Sequence, residues 1–151
     1  AATILFLIIT ATMYNRMLGV AGLPTQFGEW LTGMDFTIGQ IMTLYVVLLI
    51  LLGTILDTAS IILIIVPLFL TALDAFGVDL VWFGIVTVVG AEIGLLTPPL
   101  GISCFVIKST INDPNISLLD IFTGAFPFAV TMLLTLIVLI NWSFLIFLNA
   151  R

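Results

Sequence analysis

Few positions in this chain can do chemistry. Asp57 stands alone in a long apolar stretch, within Gly53-Thr54-Ile55-Leu56-Asp57-Thr58, and Glu92 stands one helical turn before Thr97-Pro98-Pro99-Leu100-Gly101. A carboxylate among lipid-facing apolar residues is costly, so it pairs or lines a cavity. Asp57 has two overlapping readings. With Thr58 it accepts hydrogen bonds from the amides that open a following helix, or it sets the field around a bound cation. The paired prolines remove two backbone donors and restrict the residue before each, so a helix unwinds there. Unwinding frees carbonyls. Hard cations favour oxygen ligands, and the C-terminal end of a half-helix supplies them with a favourable dipole. Thr97 adds a hydroxyl. A half-helix that begins near Gly101 points its free amides toward an anion. A plain kink between packed helices is the simpler alternative. Two prolines flanked by Gly94 and Gly101 exceed what a kink needs. Glu92 either supports the unwound segment, faces a watery crevice, or packs between helices.

The elements that position these residues belong to a membrane. The chain has 151 residues, 62% hydrophobic and only 7% charged, against roughly 25% charged in soluble domains. Mean hydropathy is +1.41. Residues 44–52 and 61–66 are apolar throughout, which excludes the polar–apolar alternation of barrel strands and leaves helices. There is no basic patch for nucleic acid. With no His and one Cys, the chain lacks a histidine proton relay, a histidine haem ligand, an imidazole metal site or an internal disulfide. Cys104 reads as a small packing residue. The start at Ala1, directly in an apolar helix, reads as a segment of something longer.

Span lengths organise the chain. Residues 1–18 form a first span, and residues 19–35, with Pro24 at a helix start, an interfacial segment. There Phe27, Trp30 and Leu31 are expected to face lipid, and Glu29 water. Residues 36–73 as one helix would be about 57 Å long, far beyond a bilayer core of about 30 Å. As two full spans the arms are too short. A re-entrant hairpin whose tip holds Gly53, Thr54, Asp57 and Thr58 resolves the arithmetic. Residues 80–111, about 48 Å as one helix, break into half-helices at about 80–95 and 101–111. Residues 112–115 turn, 116–123 lie in the interface, and 125–148 form the last span, with Pro127 in its first turn. Lys108 is expected to snorkel to the headgroups. Gly53, Gly90, Gly94 and Gly124 are expected at close helix contacts, and Asn141-Trp142 at an interface. The resulting divisions are 1–35, 36–111 (hairpin 36–73, broken helix 80–111) and 112–151. Paired interrupted segments of this kind mark a transporter's midplane site.

Several runs resemble one family. They are Gly53-Thr54-Ile55-Leu56-Asp57-Thr58, Ile64-Ile65-Val66-Pro67, Phe83-Gly84-Ile85-Val86, Glu92-Ile93-Gly94-Leu95-Leu96-Thr97-Pro98-Pro99-Leu100-Gly101 and Asp120-Ile121-Phe122-Thr123-Gly124-Ala125-Phe126-Pro127-Phe128. In this order they resemble the large permease subunit, DctM type, of tripartite ATP-independent periplasmic (TRAP) transporters. The resemblance implies an all-α polytopic protein of the bacterial inner membrane, one inverted-repeat half of an elevator-type transporter. It implies sodium-coupled uptake of an organic acid, such as a C4-dicarboxylate or sialic acid, and no enzymatic activity or cofactor beyond sodium. The implied partners are the N-terminal half of the same permease, a small four-helix membrane subunit and a periplasmic binding protein. Carried onto this sequence, the family's ion site falls on Gly53, Thr54, Asp57, Thr58, Gly94, Thr97, Pro98 and Leu100. The substrate wall falls on Thr97, Pro99 and Gly101. A carboxylate-clamping arginine is expected from the other half, because Arg16, Lys108 and Arg151 sit at span ends. The positive-inside rule puts Arg16 and Arg151 in the cytoplasm. The competing classes are an elevator-type anion carrier with different ion coupling, and a non-transporting membrane anchor of an enzyme complex.

Overall fold

A computed structural model describes residues 2–74, 76–111 and 113–149, with only the backbone course given for 4, 7, 71 and 143–149. Ala1 and Arg151, and with Arg151 one of the two charges that orient the chain, lie outside the described residues, as do one residue of each turn at 74–79 and 112–115. The described residues are all-α, with seven helices: α1 (Ala2–Val20), α2 (Leu23–Gly33), α3 (Ile38–Gly53), α4 (Thr58–Asp74), α5 (Leu80–Leu96), α6 (Ile102–Ile111) and α7 (Leu118–Asn149).

Local chemistry fixes where these helices start. Thr37 and Gln40 form a reciprocal box before α3: Gln40 Oε1 accepts the Thr37 amide at 2.9 Å, and Thr37 Oγ1 accepts the Gln40 amide at 3.4 Å. Asp79 opens α5 by accepting the Trp82 amide at 2.7 Å. Ser117 and Asp120 do the same for α7, with the Ser117 amide donating to Asp120 Oδ2 at 2.8 Å and the Asp120 amide to Ser117 Oγ at 3.2 Å.

The core lies where α3, α4 and α5 meet. Ile41, Met42, Tyr45, Val46, Leu49 and Gly53 make the buried stripe of α3, at the 3.6-residue period that aims one face at a neighbour. It packs on the matching face of α5, and α4 closes the group. Tyr45 stacks at 4.8 Å from Phe69 of α4 and 4.9 Å from Phe83 of α5. Its hydroxyl lies 2.7 Å from Thr87 Oγ1. Thr87 already donates to the Phe83 carbonyl at 2.7 Å, so Tyr45 supplies the proton between the two hydroxyls. Tyr45→Phe removes that one bond and is expected to cost about 1 kcal/mol, measured as thermal unfolding of the purified protein in detergent.

The short helix α2 differs from the lipid-facing reading. Leu31 is fully buried, and Phe27 packs edge-on against Phe69 at 5.2 Å. Both lie on the stripe that α2 presents to α4. Trp30 remains 53% exposed, as expected of an interfacial anchor.

The first helix holds α4 through a defect. Pro67 sits inside α4 and has no N–H, so the Leu63 carbonyl loses its helical donor. Asn15 of α1 replaces it, with Nδ2 2.8 Å from the Leu63 oxygen. Among the described residues Asn15 Oδ1 is buried without a partner, so its amide hydrogens make the contact. Asn15→Leu strands the Leu63 carbonyl and is expected to cost roughly 1–3 kcal/mol. Asn15→Ser, which keeps a donor, should lose less in the same unfolding measurement.

The last helix runs unbroken through Pro127 as α7, 32 residues long. The expected division into an interfacial piece and a span beginning near Pro127 does not occur. The Ser117–Asp120 box starts the helix at Leu118, and Pro127 then removes a single interior bond without ending it. Leu118–Trp142 is long and apolar enough to cross a membrane, whereas Ile38–Gly53, Leu80–Leu96 and Ile102–Ile111 are shorter apolar helices.

Candidate functional site

Two interruptions of the helical course lie close together. The first is residues 54–57, between α3 and α4. The second is the unwound stretch 97–101, between α5 and α6. What joins them is the absence of side chains. A Cβ on Gly94 would stand 2.5 Å from the Gly53 Cα and 2.7 Å from the Ile50 carbonyl oxygen, and one on Gly53 would stand 2.8 Å from the Ala91 carbonyl oxygen. These are backbone atoms, which cannot swing aside. The end of α3 therefore rests directly on the end of α5. One turn earlier Leu49 fills the space over Gly90, where a Cβ would meet its Cδ1 at 3.0 Å. Gly124, expected in a similar contact, has open space around it.

At the first interruption, Thr54 is buried and donates to the Leu51 carbonyl at 2.8 Å. Asp57 is exposed and caps α4: Oδ2 accepts the Ser60 amide at 3.1 Å, and Oδ1 accepts the Ser60 hydroxyl at 2.5 Å. Thr58, the first residue of α4, donates to Glu92 Oε1 of α5 at 3.0 Å. Sequence reasoning named both residues but not this pairing, since nothing local links positions 34 apart.

At the second interruption, Thr97 is extended, with φ −98° and ψ 133°. Its amide donates to the Gly94 carbonyl at 3.0 Å, and its hydroxyl donates to the Ile93 carbonyl at 2.6 Å. With that proton committed, Thr97 Oγ1 presents only lone pairs in other directions. Pro98 and Pro99 have no N–H, so the Leu95 carbonyl loses the donor that a continuous helix would provide at Pro99. Pro98, Pro99 and Leu100 are exposed. Gly101 is buried with φ +43°, and a Cβ there would stand 2.6 Å from Phe122 Cε1 of α7. The backbone conformation favours glycine, and any side chain there would have to displace the Phe122 ring. Its carbonyl accepts the Cys104 amide at 2.8 Å to open α6, in which Cys104 is buried.

Thus the structure brings Gly53 to Gly94 and Thr58 to Glu92. It directs Asp57 to its own helix, and it leaves Pro98–Leu100 open. The half-helix end of α5 can coordinate a cation, and the α6 amides can face an anion. Lys108 is not free for either. It donates to the carbonyls of Asp113, at 2.8 Å, and Ile116.

Residues 1–145 match the family described as tripartite ATP-independent periplasmic transporter, DctM component. The C4-dicarboxylate TRAP transporter large permease protein DctM of Rhodobacter capsulatus is 29% identical over 137 residues, covering 91% of this chain and 30% of that protein. Its namesake in Vibrio cholerae is 31% identical over 137 residues, covering 89% and 29%. The sialic acid TRAP transporter permease protein SiaT of Haemophilus influenzae is 24% identical over 133 residues, covering 88% and 21%. These relatives are named as permeases, not enzymes, and the chain spans less than a third of their length. No solved structure matches it. With the match running from α1 into α7, through both interruptions, the chain belongs to the DctM component family of tripartite ATP-independent periplasmic transporters.

Proposed function

We propose that this chain is the C-terminal repeat of the large permease subunit of a sodium-driven organic-acid uptake system in the bacterial inner membrane. It carries one sodium site and one wall of the substrate site. The observation that carries this reading is the backbone contact of Gly53 with Gly94, which sets the tip against the end of α5, where Pro98 and Pro99 offer no amide to the Gly94 and Leu95 carbonyls. Sodium is held by carbonyl oxygens at Gly53, Thr54, Gly94, Pro98 and Leu100 and by the Thr97 hydroxyl, whose lone pairs are already turned outward. Asp57 and Thr58 shape the tip, and the Asp57 charge adds to the field. The substrate carboxylate lies beside this site, against Thr97, Pro99 and the amides that follow Gly101. Its cationic clamp comes from the N-terminal half, since Lys108 is occupied by loop carbonyls.

The relatives' names support the substrate class: C4-dicarboxylate for one, sialic acid for another. The remaining partners are a small four-helix membrane subunit and a periplasmic binding protein, with the paired repeats moving as an elevator. The test uses the complete permease containing this segment, reconstituted with both partners in proteoliposomes. Uptake of labelled succinate or sialic acid should require an inward sodium gradient, and Thr97→Val should raise the half-saturating sodium concentration about tenfold, the worth of one good ligand contact. Equal uptake in sodium-free potassium buffer rules the reading out.

A further inference from the structure

The tip at residues 54–57 is tied to α5 at both of its ends, by two different devices. On the α3 side the tie is the backbone apposition of Gly53 and Gly94. On the α4 side it is a single hydrogen bond, from Thr58 Oγ1 to Glu92 Oε1 at 3.0 Å. Glu92 is the one charged residue of α5, and it is half-buried. Its carboxylate lies beside the first turn of α4, where the helix dipole favours negative charge. The hydroxyl and carboxyl belong to two different helices, so the bond ties the first residue of α4 to the last turns of α5.

We propose that Glu92 is a positioning residue for the cation site. By holding Thr58 it fixes the second end of the tip over the carbonyl end of α5, and so sets sodium affinity without touching the ion. The inference rests on the sodium reading above and deepens it. Without the Thr58 tie, the residues between the Gly53 contact and the buried Ile61 are free to shift, so the tip carbonyls no longer converge with those of the break. Asp57 cannot substitute, because its carboxylate is engaged by Ser60. The essential property is the acceptor oxygen, not the charge. A glutamine in place of Glu92 keeps that oxygen, and a leucine removes it.

Two measurements on the complete permease separate this inference from the reading beneath it. The first is hydrogen exchange of the peptide covering residues 54–60, in potassium chloride and without sodium. Glu92→Leu and Thr58→Val should speed exchange about tenfold, the effect of losing one hydrogen bond to a carboxylate, and Glu92→Gln should stay within about twofold of wild type. The second is the thermal shift on exchanging potassium chloride for sodium chloride at constant ionic strength. The half-saturating sodium concentration should follow the same order, raised about tenfold in Glu92→Leu and Thr58→Val and restored in Glu92→Gln. A wild-type protein that responds to sodium while all three variants match it overturns the positioning role. So does a Glu92→Gln variant as impaired as Glu92→Leu, since charge would then be the working property. A wild-type protein with no sodium-specific shift overturns the sodium reading and this inference with it, whatever the exchange order.

Discussion

Gly94→Ala is expected to lower the sodium-driven uptake proposed for the complete permease about 100-fold and stability by about 3 kcal/mol, at the upper end of over-packing penalties. The added methyl meets Gly53 Cα at 2.5 Å and the Ile50 carbonyl oxygen at 2.7 Å, well inside the 3.5–4.0 Å of an ordinary carbon contact. No rotamer relieves it, since a methyl group has none and both obstacles are backbone. Helices α3 and α5 must separate, which loosens the packing of Tyr45 on Phe83 and moves the tip off the carbonyl end of α5. Gly53→Ala should fail in the same way, because its methyl meets the Ala91 carbonyl oxygen at 2.8 Å. Gly84→Ala is the control. It lies in the same helix, with nothing within 4 Å of the new methyl, and helix propensity should make it neutral or stabilising by up to about 1 kcal/mol. Thermal unfolding in detergent and uptake in proteoliposomes give the two readouts. A Gly94→Ala protein with wild-type melting and uptake would show that the Gly53–Gly94 contact holds nothing together.

How much of this was legible in the sequence depends on the range of the signal. The all-α class follows from composition and span length, and the unwinding at Thr97 from two prolines whose missing donors act on their own helix. The need for glycine at 53, 90 and 94 was readable as small residues at helix contacts, though not which helix each one meets. The inward face of α2 was not readable. Its stripe of Pro24, Phe27, Gly28 and Leu31 suits lipid as well as it suits α4, and only the tertiary arrangement decides. Nor was the service of Asn15 to Leu63, which depends on a proline in one helix and an amide in another. Pro127 misled for a related reason. A proline at a start and a proline tolerated inside a long helix look alike until the cap at Ser117 is counted. At the site, the identities of Thr58 and Glu92 were visible, but their partnership was not.

These distinctions sharpen what the break itself does. The sodium reading needs carbonyls that have lost helical donors, and the chain removes donors at two consecutive positions. Pro98 and Pro99 are not equivalent. The carbonyl opposite Pro98 is that of Gly94, which already accepts the Thr97 amide at 3.0 Å. The carbonyl opposite Pro99 is that of Leu95, for which the continuing helix offers no substitute. Pro98→Ala should therefore weaken sodium binding more than Pro99→Ala, because the restored amide competes for the Gly94 oxygen proposed as a ligand, whereas the Leu95 oxygen is not one of those ligands. The double replacement should be the most severe, because α5 can then continue past Leu96 and close its open end. An interior proline disfavours a helix by about 3 kcal/mol, so its removal releases a constraint instead of creating a cavity. The double variant is expected to melt at or above the wild-type temperature in potassium, while its half-saturating sodium concentration rises by more than about 100-fold, corresponding to loss of about 3 kcal/mol of binding. Continuation must still stop at Gly101, where φ is +43° and Phe122 closes the space, so α6 and its amides stay in place. Loss of sodium response with stability kept separates a cation site from a folding element. Unchanged sodium response in the double variant would mean that the freed carbonyls are not the ligands. A parallel fall of melting temperature and sodium response would mean that the prolines serve the fold alone.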